Sequence, residues 1–160
     1  MAQLDLKNTT LKIIDGAAAE IEVKIGTGNL TYTVARTMEY NLDKGLLATA
    51  TIREGDEVPC EVSFTFVWEW IVGTTVNPTA DTVEQFLRGT SGQTTVSTDP
   101  CEPYACDLEF TNDPDCGTIY SEVYTFSEFR FESLNHDAQN GSIECSGKCR
   151  VISPTTARAA

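Results

Sequence analysis

Cysteine is the residue type with the widest chemistry open to it in this chain. There are six, at Cys60, Cys101, Cys106, Cys116, Cys145 and Cys149, and the spacings Cys101-x4-Cys106 and Cys145-x3-Cys149 raise the question of a zinc site. On a strand rising about 3.3 Å per residue, Cys145 and Cys149 stand about 13 Å apart, too far to share an ion unless Ser146-Gly147 folds the chain back. The alternative makes Cys60, Cys106 and Cys145 small core residues on inward strand faces. Cys101 and Cys116, at the two ends of one strand region, are then the candidates for a bridge. That pairing is one among the fifteen connectivities six cysteines allow. An even count points to an oxidising compartment, whereas Met1-Ala-Gln-Leu-Asp-Leu-Lys7 lacks the charged and apolar blocks of an export signal, so a bridge is expected to form late, after release from a cell.

Acid–base chemistry would need His136, the single histidine, with Asp137 beside it and a serine. Adjacent strand residues point to opposite faces, so Asp137 can orient the imidazole only from a loop, and no Gly-x-Ser-x-Gly elbow accompanies the pair. Asp113 and Asp115 lack the central glycine and terminal glutamate of a calcium loop and read as turn formers. No catalytic residue, metal or cofactor is expected.

Charge narrows the classes further. The chain has 24 acidic and 11 basic residues, a net charge of -13 over 160 residues. Attraction to nucleic acid depends on Lys and Arg displacing counterions from phosphate, which excludes a nucleic-acid reader. No segment approaches the roughly 18 apolar residues of a membrane span, so no membrane partner is expected.

The elements that must carry these residues are mainly strands. In Val62-Ser-Phe-Thr-Phe-Val-Trp-Glu-Trp70 the large apolar residues fall at period two, which predicts one strand burying Val62, Phe64, Phe66, Trp68 and Trp70. Thr9 to Ile14 and Ala19 to Ile25 predict a hairpin around Asp15-Gly16, with glycine supplying positive φ, and Leu30 to Val34 a third strand. Arg36 to Pro59 reads as one long loop. Asn77 to Gly89 predicts the one helix, capped by Asp81 with Glu84 completing a capping box, Val83, Phe86 and Leu87 facing inward, and Gly89 ending it. Thr90 to Pro100 reads as a linker-like loop, and Tyr104 to Phe110 as a strand. The aromatics of Ile119 to Phe131 change parity between Phe126 and Phe129, which predicts a bulge near Ser127. Asn140-Gly141 then turns the chain into Ser142 to Ile152. The whole is expected to be one domain, residues 1–153, with a flexible tail at 154–160.

Several blocks taken in order, Ile21-Glu-Val-Lys-Ile-Gly-Thr-Gly-Asn-Leu-Thr-Tyr32, Glu39-Tyr-Asn-Leu-Asp-Lys-Gly45, Arg53-Glu-Gly-Asp-Glu-Val-Pro-Cys-Glu-Val-Ser-Phe64, Asp99-Pro-Cys-Glu-Pro-Tyr104, Phe126-Ser-Glu-Phe-Arg-Phe-Glu-Ser-Leu134 and Gly141-Ser-Ile-Glu-Cys-Ser-Gly-Lys-Cys149, resemble the major tail tube proteins of long-tailed, siphovirus-type bacteriophages. The resemblance covers most of the chain. It implies a mainly β fold, an antiparallel β-sandwich or open barrel flanked by one α-helix. It also implies hexameric rings stacked into a virion tail tube, put together in the host cytoplasm, through which double-stranded DNA passes without specific binding. The implied partners are further copies of the chain and the tape measure, terminator and distal tail proteins. On this reading Arg36 to Pro59 is the long loop used against neighbouring subunits, with Arg36, Leu42, Leu46, Leu47 and Arg53 as interface candidates. The leucines have a second reading, as closure for the base of the sandwich. Glu20, Glu22, Glu61, Glu69, Asp107 and Glu109 are candidates for lining the bore, and Lys24, Arg36, Arg53, Arg130 and Lys148 for offsetting repulsion between subunits. Two alternatives stand beside this reading: a tail terminator-type ring protein, and a disulfide-containing extracellular β-sandwich module that binds through exposed Trp68 or Trp70.

Overall fold

In a computed structural model, residues 9–23, 25, 30–42, 50–68, 70–71, 81–90, 92–112 and 121–159 are described. Twelve strands and one helix succeed one another among them: β1 (Thr9–Ile14), β2 (Glu20–Val23), β3 (Leu30–Thr33), β4 (Arg36–Leu42), β5 (Ala50–Glu57), β6 (Glu61–Val67), β7 (Trp70–Ile71), β8 (Asp81–Thr82), α1 (Val83–Arg88), β9 (Cys106–Asn112), β10 (Ser121–Asp137), β11 (Ser142–Lys148) and β12 (Thr155–Ala159). The main sheet runs β2-β1-β9-β10-β11-β6-β3, with β12 also on β10, and every pairing is antiparallel. The fold is the mainly β, sandwich-like architecture with one helix that the resemblance implies.

One strand folds this sheet into two facing halves. β10 pairs with β9 up to Phe129 and with β11 from Arg130 onward. Between Phe126 and Phe129 its register slips, and Glu128 sits at φ 52. The slip is the bulge expected near Ser127. It turns both Phe126 and Phe129 inward despite their odd spacing. Tyr32 of β3 then meets the Phe126 ring at 5.2 Å, and Phe64 of β6 meets Phe129 at 6.1 Å, so aromatics from the two halves close one core.

Parity along the strands assigns the rest of the core. Leu11 and Ile13, Ile21 and Val23, Val62, Phe64 and Phe66, and Ile143 and Cys145 are all buried. The expected strand through Trp70 stops early, however. β6 ends at Val67, where the Trp68 N–H donates to the Gly141 carbonyl at 2.8 Å, and Trp68 is 45% exposed rather than in the core. Period-two alternation specifies which side a residue faces while the strand lasts, and the β10–β11 turn ends the pairing first. The side chain of Trp70 lies outside the described residues.

Local chemistry shifts other boundaries. Thr82, not Asp81, caps α1: its hydroxyl accepts from the Gln85 N–H, and the Gln85 side chain accepts from the Thr82 N–H. Gly89 ends the helix at φ 66, and Val83, Phe86 and Leu87 are its buried face. In the β1–β2 turn the positive φ belongs to Ala18. Gly16 is needed for another reason, because a Cβ there would stand 2.1 Å from the Thr95 carbonyl oxygen. The tail expected at 154–160 is instead largely β12, with Thr155 to Ala159 registered against Ser121 to Thr125 and Arg158 bonded to Glu122 at 3.0 Å. A short Thr/Ala strand carries little local signal, and its pairing is long-range. Arg36 to Pro59, read as a loop, contains the β4–β5 hairpin.

The linker-like segment after Gly89 is also tied down. Asp15, 5% exposed, accepts the N–H groups of Ala17, Ala19 and Thr94 on its two carboxylate oxygens, and Gly16 N–H donates to the Thr94 carbonyl. We expect Asp15→Ala, which strands three donors, to lower unfolding free energy by about 2–4 kcal/mol in urea titrations. Asp15→Asn, which keeps a carbonyl acceptor, should cost less; equal losses would show that the acceptor count is irrelevant.

Candidate assembly surface

The β4–β5 hairpin is built unlike the rest of the molecule. Its register pairs Met38 with Glu54, Glu39 with Arg53, Tyr40 with Ile52, Asn41 with Thr51 and Leu42 with Ala50. Alternation therefore puts Met38, Tyr40, Leu42, Ile52 and Ala50 on one face, with Glu54 at its end, and Glu39, Asn41, Thr51 and Arg53 on the other. In a strand pair belonging to the core the first face would be covered. Here Tyr40 is 65%, Ile52 55% and Leu42 80% exposed, and both strands are exposed along nearly their whole length. A bulge between Arg36 and Met38, with the Thr37 hydroxyl donating to the Asp56 carbonyl at 2.7 Å, fixes the base of the ribbon.

Two strands alone are marginally stable in water, and a bare apolar stripe on them is a template for association. Leu42 therefore does not close the base of the sandwich, the second reading open to it. Arg36 stands opposite Glu57, and Arg53 opposite Glu39 on the polar face. Leu46 and Leu47 lie outside the described residues. Sequence reasoning missed Tyr40 and Ile52 as members of this face; the signal was the alternation Met38-x-Tyr40-x-Leu42, hidden by the charged run that follows in β5.

The carboxylates expected at a bore separate into two groups. Glu22, Lys12, Glu109 and Thr125 form one cross-strand row, and Glu20, Ile14 and Asp107 the next. Four of the acids thus share the outer face of the β2-β1-β9-β10 half-sheet, opposite buried Leu11, Ile13 and Leu108, with Lys12 among them and 3.4 Å from Glu20. Glu61 is on the outer face of the other half, beside Lys148 at 3.6 Å, so it cannot line the same surface as the first four. A sheet folded at β10 turns its two outer faces away from each other. Glu69 and Lys24 lie outside the described residues.

Most of the remaining basic groups are engaged inside the chain. Arg130 and Arg150 both bond Glu102, at 2.9 and 3.0 Å, Arg150 also reaches Glu128 at 3.3 Å, and Lys148 adds Glu132. Arg130 and Lys148 therefore hold intrachain pairs instead of standing free for a neighbour. The Ser97 hydroxyl donates to Glu102 at 2.6 Å and is the largest influence holding its carboxyl below the ordinary value, with Arg150 and Arg130 adding to it against desolvation and Asp99.

The other chemistry-bearing residues have structural partners. His136 Nε2 lies 2.8 Å from Glu84 and its ring 5.3 Å from that of Trp68. Asp137 instead accepts the Gln139 and Asn140 N–H groups in the turn. Among the described residues no three His, Cys, Asp or Glu side chains are placed to hold a metal ion. Cys101 is an exposed free thiol, and Cys116, its expected bridge partner, lies outside the described residues. Cys60, Cys106 and Cys145 are buried as expected, and Cys149 joins them.

No protein-family profile and no curated protein matches the sequence. Among solved structures, the chain is similar to one in the cryo-EM structure of the anti-feeding prophage baseplate, 6-fold symmetrised. The two share 7% identity with a TM-score of 0.54, and the likeness covers 98% of this chain and 97% of the other. It is a likeness of fold across the full length of both chains.

Because the Glu102 carboxyl is lowered in the folded state, its contribution is present above its ordinary value of 4.5 and is lost as pH falls through the lower folded value. Acid titration should therefore loosen the 95–105 segment below about pH 4.5. Hydrogen exchange of that segment should show the loss in the native chain and a flatter profile in Glu102→Gln; parallel profiles would remove the clamp from the account.

Proposed function

We propose that this chain is a structural subunit of a phage-type tail, which assembles as rings stacked into a tube that conducts double-stranded DNA. The observation that carries the reading is the amphipathic β4–β5 hairpin left bare on a fold shared end to end with a chain of a six-fold symmetrised baseplate. A ring made by a repeated heterologous contact supplies every subunit with the same neighbour, and so covers every hairpin. The Met38, Tyr40, Leu42, Ile52 face seats on the adjoining copy, and Arg36 and Arg53 add contacts from the ribbon's charged side. Tape measure, terminator and distal tail proteins are the expected partners at the ends, and the particle's tail is its location. The role is structural, without catalysis or a cofactor.

Electrostatics agrees with a conduit. Duplex DNA carries one negative charge about every 1.7 Å, and a cation in the wall would be met again at each ring, turning weak contacts into friction. The half-sheet with Glu20, Glu22, Asp107 and Glu109 is the face suited to the bore. Screening limits its repulsion to about 8 Å at physiological salt, enough to centre the DNA without blocking it.

Truncating the anchor tests the assembly. Burying a leucine contributes roughly 1.5–3 kcal/mol, so Leu42→Asp should raise the concentration needed for assembly by about 10–100-fold while shifting the melting temperature by no more than about 2 °C. Arg53→Ala should weaken stacking in the same direction, less strongly. Negative-stain microscopy over a concentration series reads the result: native tubes support the proposal, isolated rings indicate a terminator, and monomers at every concentration indicate a binding module and overturn it.

A further inference from the structure

The assembly reading makes no use of the four buried thiols, Cys60, Cys106, Cys145 and Cys149, all of them free. Two are cross-strand neighbours. The β6–β11 register ends at Glu61 opposite Lys148, which leaves Cys60 and Cys149 as the next pair along both strands. One backbone bond joins them, Cys149 N–H donating to the Cys60 carbonyl at 2.9 Å, while Cys60 N–H passes on to the Val151 carbonyl at 3.0 Å as the strands shift register. Cys60 has the parity of buried Val62, Phe64 and Phe66, and Cys149 that of buried Cys145 and Ile143, so both side chains enter the same side of the core. Residues directly opposite on antiparallel strands hold their Cα atoms about 4.5–5.5 Å apart, within the roughly 4.4–6.8 Å that disulfides span, and the Cys149 thiol, raised first by desolvation, is near enough to Cys60 to be raised by it as well.

We propose that Cys60 and Cys149 form an oxidation site whose product is an intrachain disulfide tying the start of β6 to the segment between β11 and β12. The oxidant is a low-molecular-weight disulfide, RS–SR. The thiolate of one cysteine attacks it and releases one thiolate, leaving a mixed disulfide. The second cysteine displaces the other, and the two cysteine protons end on the released thiols, so two protein thiols and RS–SR become one protein disulfide and two RSH. Desolvation pushes the Cys149 thiol up to about 12 and raises Cys60 as well, which keeps thiolate scarce and makes exchange wait on local opening. Cys106 is the rival. It lies on β9 with its Sγ 3.9 Å from the Phe129 carbonyl, and its ladder partner is Phe129 rather than another cysteine.

The test uses the full chain carrying Cys101→Ser and Cys116→Ser, so that only the four buried thiols remain. It is incubated with oxidised glutathione at a denaturant concentration that leaves it folded, alkylated, and digested without reduction. The Cys60 peptide should be joined to the Cys149 peptide, two thiols per chain should disappear, and the melting temperature should stand about 5–15 °C above that of the same sample after reduction. Adding Cys149→Ser should abolish both the link and the shift. A link from Cys106 to either Cys145 or Cys149, or four thiols still free after the chain is unfolded and refolded with the oxidant, overturns the proposal.

Discussion

The architecture depends on a single irregularity, the left-handed Glu128 in the middle of β10. A seventeen-residue strand without it would carry one sheet straight past the core. With it, the inward parity is reset between Phe126 and Phe129, and the strand serves β9 before the bend and β11 after it. The conformation is held from two sides. Asp107 accepts the Glu128 N–H at 2.9 Å, and the Glu128 carboxylate meets Arg150 from the segment following β11. Backbone strain of this kind persists only where its surroundings over-determine it. Here the two phenylalanines, each almost fully buried, supply the return in burial.

From that bend follows the division of labour between surfaces. Folding the sheet on itself sends the two sets of outer residues in opposite directions, so carboxylates that look equivalent along the chain part company: Glu20, Glu22, Asp107 and Glu109 go one way, Glu61 the other. The basic side chains do not spread evenly to match. Arg130 and Arg150 converge on Glu102 beside the bend, which spends two of the few cations on holding the 92–105 segment against β10. Among the described residues the acidic half-sheet keeps only Lys12 beside its four carboxylates.

How much of this was legible depended on the range of the interactions. Inward parity in β1, β2, β6 and β11, the helix face of Val83, Phe86 and Leu87, the Asn140-Gly141 turn and the β10 bulge all leave local signals, and all are present in the structure. Trp68 departs from its expected place because alternation says nothing about where pairing stops, and the stop is set by Gly141 in the β10–β11 turn. The helix cap moved by one residue because Asp81-x-x-Glu84 and Thr82-x-x-Gln85 are both competent capping boxes, and only the fold chooses. β12 and the juxtaposition of Cys60 with Cys149 rest on pairings across the chain, which composition and spacing cannot supply.

The hairpin was the most consequential misreading, and its physics explains why. A period-two pattern with a polar and an apolar face is the signature of a strand pair with one side covered, and β4 and β5 have that pattern. What covers the apolar side need not belong to the same chain. Within the subunit the ribbon is held by its own ladder and by the Thr37 contact at its base, while Tyr40, Leu42 and Ile52 face solvent. A self-contained binding module has no reason to order such a ribbon without its ligand, and a small ligand does not span two faces of a long hairpin. In the proposed ring a neighbouring copy would do so, because a repeated contact presents the same extended surface to every subunit and would leave no ribbon uncovered.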